Sequence, residues 1–429
     1  MSAETLSTFP MGGIHPPECK GLTEKLASVV MPSPKRVRLI LKQHVGAPCK
    51  PLVKKKDKVT EGDVVASIEK LGANLHAPVS GTVKGVQNAL HPLVGNAKAL
   101  AIETDPEAEP KTYSPVDWSG FSREELLAKI KDAGVVGMGG AGFPAGFKLD
   151  VRPDVKLDTL ILNGAECEPY LTSDHRVMLE HTKDIVEGAK IMLKILGINY
   201  CAIGVENNKP DAIQAFNKTI AEDSSKNGYN IVVKPLKVQY PQGSADQIMQ
   251  AVTGRARPAG VRSSVIGIIL QNVYTTKAVY DAVALNKPLY ERIVTFTGKG
   301  IKKPANVMVK VGTAKVIAGG PMMGFAVSTL DIPITKTTSG VLFLAKDEID
   351  LEPHLPCVSC GFCVDVCPMG LEPNHTGIYV EAGRGKDTEE FGVDDCFLCG
   401  SCAYVCPAKR PLVQFMTLAK NDLRAAARK

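Results

Sequence analysis

Eight of the twelve cysteines fall into two runs of identical spacing. The first reads Cys357-Val-Ser-Cys360-Gly-Phe-Cys363-Val-Asp-Val-Cys367-Pro368, and the second Cys396-Phe-Leu-Cys399-Gly-Ser-Cys402-Ala-Tyr-Val-Cys406-Pro407. In a C-x₂-C-x₂-C-x₃-C-P run three closely spaced thiolates wrap one [4Fe–4S] cluster and the fourth reaches across to a second. That crossed scheme gives Cys357, Cys360, Cys363 and Cys406 to one cluster and Cys396, Cys399, Cys402 and Cys367 to the other. Zinc needs only four ligands in C-x₂-C pairs, so two intact four-cysteine runs argue against it. The chemistry indicated is one-electron transfer.

A second set of residues could bind phosphate. Gly137-Met-Gly139-Gly140-Ala-Gly142-Phe-Pro-Ala-Gly-Phe-Lys148 concentrates glycines whose N–H groups can approach an anion that side chains would keep away. It matches the G-x-G-x-x-G spacing of dinucleotide loops, but those leave a strand and enter a helix, whereas here a helix leads in. Downstream, Asn163-Gly-Ala-Glu166-Cys167-Glu168-Pro169 follows an apolar run, Thr159 to Asn163, that reads as a buried strand. Ligands bind at the carboxyl ends of strands in open α/β sheets. An amide and two carboxylates at that point suit a ligand bearing hydroxyl or amide groups.

The chain that must position these groups has 429 residues, 44% of them apolar, and a net charge of +6. That is enough for several domains with their own cores. Its densest basic cluster, Lys54-Lys55-Lys56 with Lys58, has no interleaved aromatics and so does not read as a nucleic-acid surface. Cluster-binding thiolates point to a reducing compartment; Cys19, Cys49, Cys167 and Cys201 are left over. The opening residues lack a basic region followed by an apolar stretch, so no signal peptide is expected. Apolar runs such as Val265 to Leu270 fall far short of the roughly 18 residues that span a bilayer, which predicts a soluble or peripheral protein.

Residues 1–110 read as an all-β domain of short β-branched runs broken by Gly and Pro, among them Val37 to Leu41, Asp63 to Glu69 and Gly81 to Val86. A Pro- and acid-rich linker from Asp105 to Pro115 leads into residues 111–258, where strands and helices alternate as in an α/β sheet. Ser122 and Glu125 form a capping box for the first helix. A single amphipathic helix is expected from His175 to Leu196, and strands at Tyr200 to Val205 and Asn230 to Leu236 flank a helix from Pro210 to Glu222. A small β module is expected within residues 259–318, its two strands Glu291 to Gly298 and Ala305 to Gly312. Residues 319–350, opening on Gly319-Gly-Pro-Met-Met-Gly324, form a β connecting segment, and residues 351–429 the cluster domain.

The whole chain, in order, resembles a known family. The glycine loop through Lys148 and the Asn163-x-x-Glu166-x-Glu168-Pro169 motif are similar to the FMN- and NADH-binding motifs of the flavoprotein subunit of respiratory complex I. Tyr240-Pro-Gln-Gly243 and Gln271-Asn272-Val-Tyr-Thr275 look like that subunit's remaining flavin-contacting segments. Gly12-Gly-Ile-His-Pro-Pro-Glu18, Gln43-His44-Val-Gly-Ala-Pro48, Gly319 to Gly324 and Cys406-Pro-Ala-Lys-Arg-Pro411 resemble the RnfC family of Rnf complexes. Ala165 stands where the complex I pattern has aspartate, and Ser244-Ala245 where it has paired glutamates, so contacts to ribityl and NADH hydroxyls must differ in detail.

The resemblance implies a multidomain α/β protein: a barrel-sandwich hybrid, a Rossmann-like FMN/NADH domain, an SLBB-like β-grasp module and a helical two-[4Fe–4S] ferredoxin domain. It implies Gly137, Gly139, Gly140, Gly142, Lys148, Asn163, Tyr240, Gly243, Asn272 and Thr275 around FMN and nucleotide, with Glu166 and Glu168 beside the isoalloxazine and nicotinamide as catalytic groups. The cofactors implied are two [4Fe–4S] clusters, FMN and NAD⁺/NADH. The function implied is that of the NAD(H)-handling subunit of a membrane-bound, ion-translocating ferredoxin:NAD⁺ oxidoreductase, peripheral on the cytoplasmic face. Its partners would be an iron–sulfur electron-transfer subunit and integral membrane subunits. A soluble relative feeding electrons to a proline reductase or cobalamin reductase is the alternative.

Overall fold

The computed structural model describes residues 6–91, 95–223, 228–313, 319–324, 326, 331–349 and 352–427. A strap comes first, ending in β1 (Val29–Val30). Then follow β2 (Arg36–Ile40), β3 (Lys50–Pro51), β4 (Lys58–Val59), β5 (Val64–Ser67), β6 (Leu75–His76), β7 (Gly81–His91) and β8 (Gly95–Thr104). One sheet has the order β2-β8-β7-β4 and a smaller one β3-β5-β6. Val37, Leu39 and Leu100 from the first meet Val65 and Leu75 from the second in one buried core, which makes this a sandwich.

The α/β domain follows. Ser122 caps α1 (Arg123–Asp132) with the reciprocal Glu125 bond that the sequence predicts. Next come α2 (Ala145–Leu149), β9 (Thr159–Asn163), α3 (Ser173–Glu180), α4 (Thr182–Leu196), β10 (Tyr200–Glu206), α5 (Pro210–Glu222) and β11 (Asn230–Leu236). The domain ends with α6 (Ala245–Thr253), β12 (Ile268–Asn272) and α7 (Val273–Ala284). The sheet runs β11-β10-β9-β12, all parallel. Alternate residues of β9 serve opposite faces: Leu160 and Leu162 pack under α4 and α7, Ile161 under α6. Asn163 and Asn272 are register partners, so two amides stand side by side at the carboxyl edge.

A mixed sheet, β1-β14-β13-β15, contains β13 (Glu291–Thr297), β14 (Ala305–Lys310) and β15 (Gly340–Leu342). The cluster domain closes the chain with α8 (Phe362–Asp365), α9 (Pro373–Glu381), α10 (Ser401–Tyr404) and α11 (Leu412–Ala426) around its own core.

Two expectations need correction. The boundary at residue 258 cuts the α/β sheet, because β12 pairs with β9 and α7 packs on α4; the β module begins after Ala284. The helix expected from His175 to Leu196 is two helices, since His181 leaves helical geometry at φ −130° and bonds Asp184 in the first turn of α4. Within the expected sandwich region the amino-terminal strap also reaches the other domains, for β1 joins β14 in parallel and Ile14 bridges Tyr240. Of the connecting segment, residues 325, 327–330 and 350 lie outside the described residues.

Helices α4 and α7 meet at Gly188, where a Cβ would lie 2.2 Å from the Thr276 carbonyl oxygen. Gly188→Ala must therefore push α7 away from α4. A loss of about 1–3 kcal/mol in urea unfolding is expected.

Candidate functional site

The glycine loop is a closed turn at the carboxyl edge of the sheet. Val136 bridges Pro144, the Gly137 N–H donates to the Phe143 carbonyl at 2.8 Å, and the Met138 N–H donates to Thr275 Oγ1 at 2.9 Å. From behind, Val45 donates to the Gly142 carbonyl, so the Gln43-His44-Val45 segment of the sandwich braces the loop. Gly139 lies over Asn272, where a Cβ would sit 3.2 Å from the Asn272 Cβ. Gly140, at φ +129°, faces open space. The N–H groups of Gly139 and Gly140 make no hydrogen bond among the described residues. Lys148, on α2, likewise has no partner for its ammonium there, and desolvation lowers its pKa from the usual lysine range to about 8. The free N–H groups of this glycine cradle and an unpaired, half-buried cation suit an anionic phosphate.

The loop after β9 is pulled tight by two buried lysines. Lys20 donates to the carbonyls of Glu166, Glu168 and Leu171 at 2.9, 2.9 and 2.6 Å. Lys209 donates to the Ala165 carbonyl at 2.6 Å. Asn163 donates to the Gly243 carbonyl and accepts from the Ala165 N–H. Asn272 caps α7 through the Tyr274 and Thr275 N–H groups and donates to Asp174 at 2.6 Å. Burial, then the charge of Glu166, raises the Asp174 pKa to about 7.

The two glutamates expected beside the isoalloxazine and nicotinamide have other partners. Glu166, at φ +46°, turns its carboxylate onto the N-terminus of α3, accepting from the Asp174 and His175 N–H groups at 2.7 and 3.1 Å. Glu168 accepts from the Met322 and Met323 N–H groups at 2.8 and 3.0 Å, fastening the Gly319 to Gly324 loop. Both carboxylates are held by backbone N–H groups, where they shape the site. Tyr240, expected at the flavin, donates its hydroxyl to the Cys399 carbonyl at 2.6 Å. Sequence reasoning missed Asp174, Lys20 and Lys209. Only Asp174 carried a local signal, as an acid in the first turn of a helix just after the Glu-x-Glu-Pro motif.

The thiols group as the crossed scheme requires. Cys357, Cys360, Cys363 and Cys406 line one cavity together with Asn374 and Arg410. Cys402 lies in the electrostatic range of Cys399, Cys396 and Cys367. Among the described residues no three potential ligands converge on a point that would hold a single metal ion. Each run bends alike: Ser359 and Leu398 take φ of +54° and +61°, and Gly361 and Gly400 +82° and +86°. Their amides turn inward, Ser359 and Leu398 donating to the sulfurs of Cys357 and Cys396 at 3.4 Å. Rings of thiols around a space, with N–H groups aimed at sulfur, fit iron–sulfur clusters.

The second ring abuts the α/β domain. Beside the Tyr240 bond, Gln247 donates to the Pro368 carbonyl, Gly13 to the Val366 carbonyl, and Gly400 packs on the Met322 carbonyl. The first ring faces outward, with Cys360 exposed and Val358, Phe362 and Tyr404 half exposed nearby.

Family models match along the chain: the RnfC barrel sandwich hybrid domain over residues 8–107, the Nuo51 FMN-binding domain over 130–281, and the 4Fe-4S dicluster domain over 356–409. The second span contains β12 and α7, in agreement with the sheet. The C component of the proton-translocating ferredoxin:NAD(+) oxidoreductase complex of Clostridium ljungdahlii is 40% identical over 435 residues, covering 97% of this chain and 94% of the relative. Its counterpart in the Na(+)-translocating ferredoxin:NAD(+) oxidoreductase complex of Acetobacterium woodii is 37% identical, covering 97% and 98%. The corresponding component of the ion-translocating oxidoreductase complex of Rhodobacter capsulatus is 38% identical, covering 96% and 82%. With this identity sustained over nearly its whole length, and with a sandwich, an FMN-binding domain and a dicluster domain in the same order, the chain belongs to the RnfC family of ion-translocating ferredoxin:NAD(+) oxidoreductase complexes.

Proposed function

We propose that the chain is the peripheral NAD(H)-handling subunit of a membrane-bound, ion-translocating ferredoxin:NAD⁺ oxidoreductase, passing electrons between two [4Fe–4S] clusters, FMN and NAD⁺/NADH. The observation that carries this reading is the direct bond from Tyr240 to the Cys399 carbonyl, which joins a thiol ring to the Tyr240–Gly243 segment bonded to Asn163 at the carboxyl edge of the α/β sheet. FMN, when bound, supplies the exchange between single electrons and a two-electron hydride. The Gly139 and Gly140 N–H groups and Lys148 receive its phosphate, and Asn163, Asn272, Thr275 and Gly243 form the floor beneath its ring. Glu166 and Glu168 hold the intervening loop in shape and leave room for the nucleotide. The outward ring, Cys357, Cys360, Cys363 and Cys406, meets the partner iron–sulfur subunit; the inner ring, Cys396, Cys399, Cys402 and Cys367, hands electrons on to the cradle. The β13–β14 sheet is read as the SLBB-like β-grasp module. No helix among the described residues is long and apolar enough to cross a membrane. In this reading the chain lies peripherally on the cytoplasmic face, and integral membrane subunits supply the anchor and the ion path.

Flavin, iron and acid-labile sulfide assays on anaerobically purified protein test it. Gly140→Val forces a branched side chain into φ +129° and should abolish FMN retention with iron and sulfide unchanged. Lys148→Met should weaken FMN binding about ten- to hundredfold, as expected for loss of one charge-assisted hydrogen bond. Wild-type protein holding zinc without sulfide would refute the cluster assignment.

Glu168→Gln keeps an acceptor for the Met322 and Met323 N–H groups, so NADH oxidation by an artificial acceptor should stay within about twofold of wild type. A direct nucleotide role would instead show as a loss of tenfold or more in the same assay.

Asp174 sets a pH dependence. With its pKa raised to about 7, the folded chain holds a proton that an unfolded aspartate has released above pH of about 4. Its contribution to stability is full below that lower value and declines as pH rises through about 7. The melting temperature of the apoprotein should fall across this window in wild type and less steeply in Asp174→Asn.

A further inference from the structure

The two cysteine runs differ just beyond their fourth cysteines. The first continues Cys367-Pro368-Met369-Gly370-Leu371 and the second Cys406-Pro407-Ala408-Lys409-Arg410. Leucine thus stands in one half where arginine stands in the other. Because the fourth cysteines cross over, Arg410 lines the cavity of Cys357, Cys360, Cys363 and Cys406. Leu371 belongs to the other ring: its N–H lies 3.3 Å from the Cys367 sulfur and its side chain packs in the core beside Cys396.

Arg410 is only 2% exposed. Its Nη2 pairs with Glu381, and its guanidinium lies 5.2 Å from the Phe415 ring centroid and beside the Cys357 sulfur. Nε and Nη1 donate to no protein atom among the described residues. Two buried nitrogens, with three N–H groups between them and no acceptor, cost free energy unless something in the cavity completes them. A cluster with four thiolates is an anion and supplies that acceptor. Glu381 offsets only part of the charge, since its side chain is 44% exposed and touches the far nitrogen.

We propose that Arg410 distinguishes the two cluster sites, raising the reduction potential of the one held by Cys357, Cys360, Cys363 and Cys406 above that of its twin. The inference rests on reading the cysteine runs as cluster sites. Reduction adds one electron to the cluster, with no proton taken up and no ligand changed, so the reduced form carries one more negative charge. A buried cation and hydrogen bonds at sulfur favour that form more than the oxidised one, and these are the protein's means of tuning cluster potential. In the twin site the Leu371 side chain offers neither a charge nor a donor, and only its main-chain N–H reaches a sulfur.

EPR-monitored redox titration of the anaerobically purified full chain tests this. Wild type should show two cluster signals at separate midpoints. Arg410→Leu, which copies Leu371, should lower the higher midpoint by at least a tenfold change in the one-electron equilibrium, about 59 mV, and bring the two together. Arg410→Lys keeps the charge and should retain most of the separation. If Arg410→Leu loses iron, Arg410→Gln, neutral but polar, carries the same expectation. Unchanged midpoints in a neutral variant with full iron and sulfide would overturn the proposal, as would a single shared midpoint in wild type. Wild-type protein without any cluster signal would instead defeat the cluster reading beneath it.

Discussion

The ammonium of Lys20 is the contact on which the site depends. It is buried, and desolvation lowers its pKa. It persists because its three donors each meet a carbonyl, those of Glu166, Glu168 and Leu171, at hydrogen-bond distance. A loop with left-handed residues at Glu166 and Tyr170 would otherwise leave those carbonyls buried and unmet. Lys20 comes from the amino-terminal strap, nearly 150 residues away in the chain. The strap therefore threads beneath the site, and its other contacts follow from that path. Ile14 bridges Tyr240, Gly13 bonds the Val366 carbonyl beside Cys367, and β1 joins the third sheet.

A second buried lysine works at the opposite junction. Lys336 donates to the carbonyls of Asn74 in the sandwich and Gly134 after α1, at 2.7 and 2.6 Å, while its own N–H binds Gln43. Burial lowers its pKa to about 7. Gln43 opens the segment that braces the glycine loop, so the cradle's position is set jointly by the sandwich and by the segment that leads into β15 of the third sheet. This gives a physical role to the Gln43-His44 phrase: it lies behind the phosphate cradle, and no side chain of it needs to touch a ligand.

What can be read from the sequence is what local geometry dictates. The cysteine runs, the Ser122–Glu125 box and the apolar strands β9, β10 and β11 declare themselves within a few residues. The break at His181 is hidden because apolar spacing continues through it, and only the backbone angle at one residue departs. β12 shows merely as an apolar run, since its partner β9 lies more than a hundred residues earlier. The duties of Glu166 and Glu168 are illegible for the same reason. A glutamate after a strand looks alike whether it faces a ligand or a helix terminus, and the loop that engages Glu168 lies about 150 residues downstream.

The cores are separate, and this explains why the junctions are polar. The cluster domain packs Leu371, Val393, Met416 and Ala419 among themselves, apart from the cores on either face of the α/β sheet. Apolar burial is non-directional and would hold the two bodies together without fixing their orientation. Hydrogen bonds from Tyr240 and Gln247 to main-chain carbonyls of the cysteine loops have preferred angles and lengths, and they set both orientation and distance. Electron transfer falls steeply with separation, so a carrier next to a flavin gains from a fixed distance more than from a large interface. The polar buried cluster of Thr23, Thr172, Thr295 and Asn306 does the same for the strap, the α3 entry and the third sheet. Satisfied networks of this kind rigidify what they join. The chain accordingly keeps its apolar burial inside each domain and uses directional bonds wherever one domain must sit at a defined place against the next.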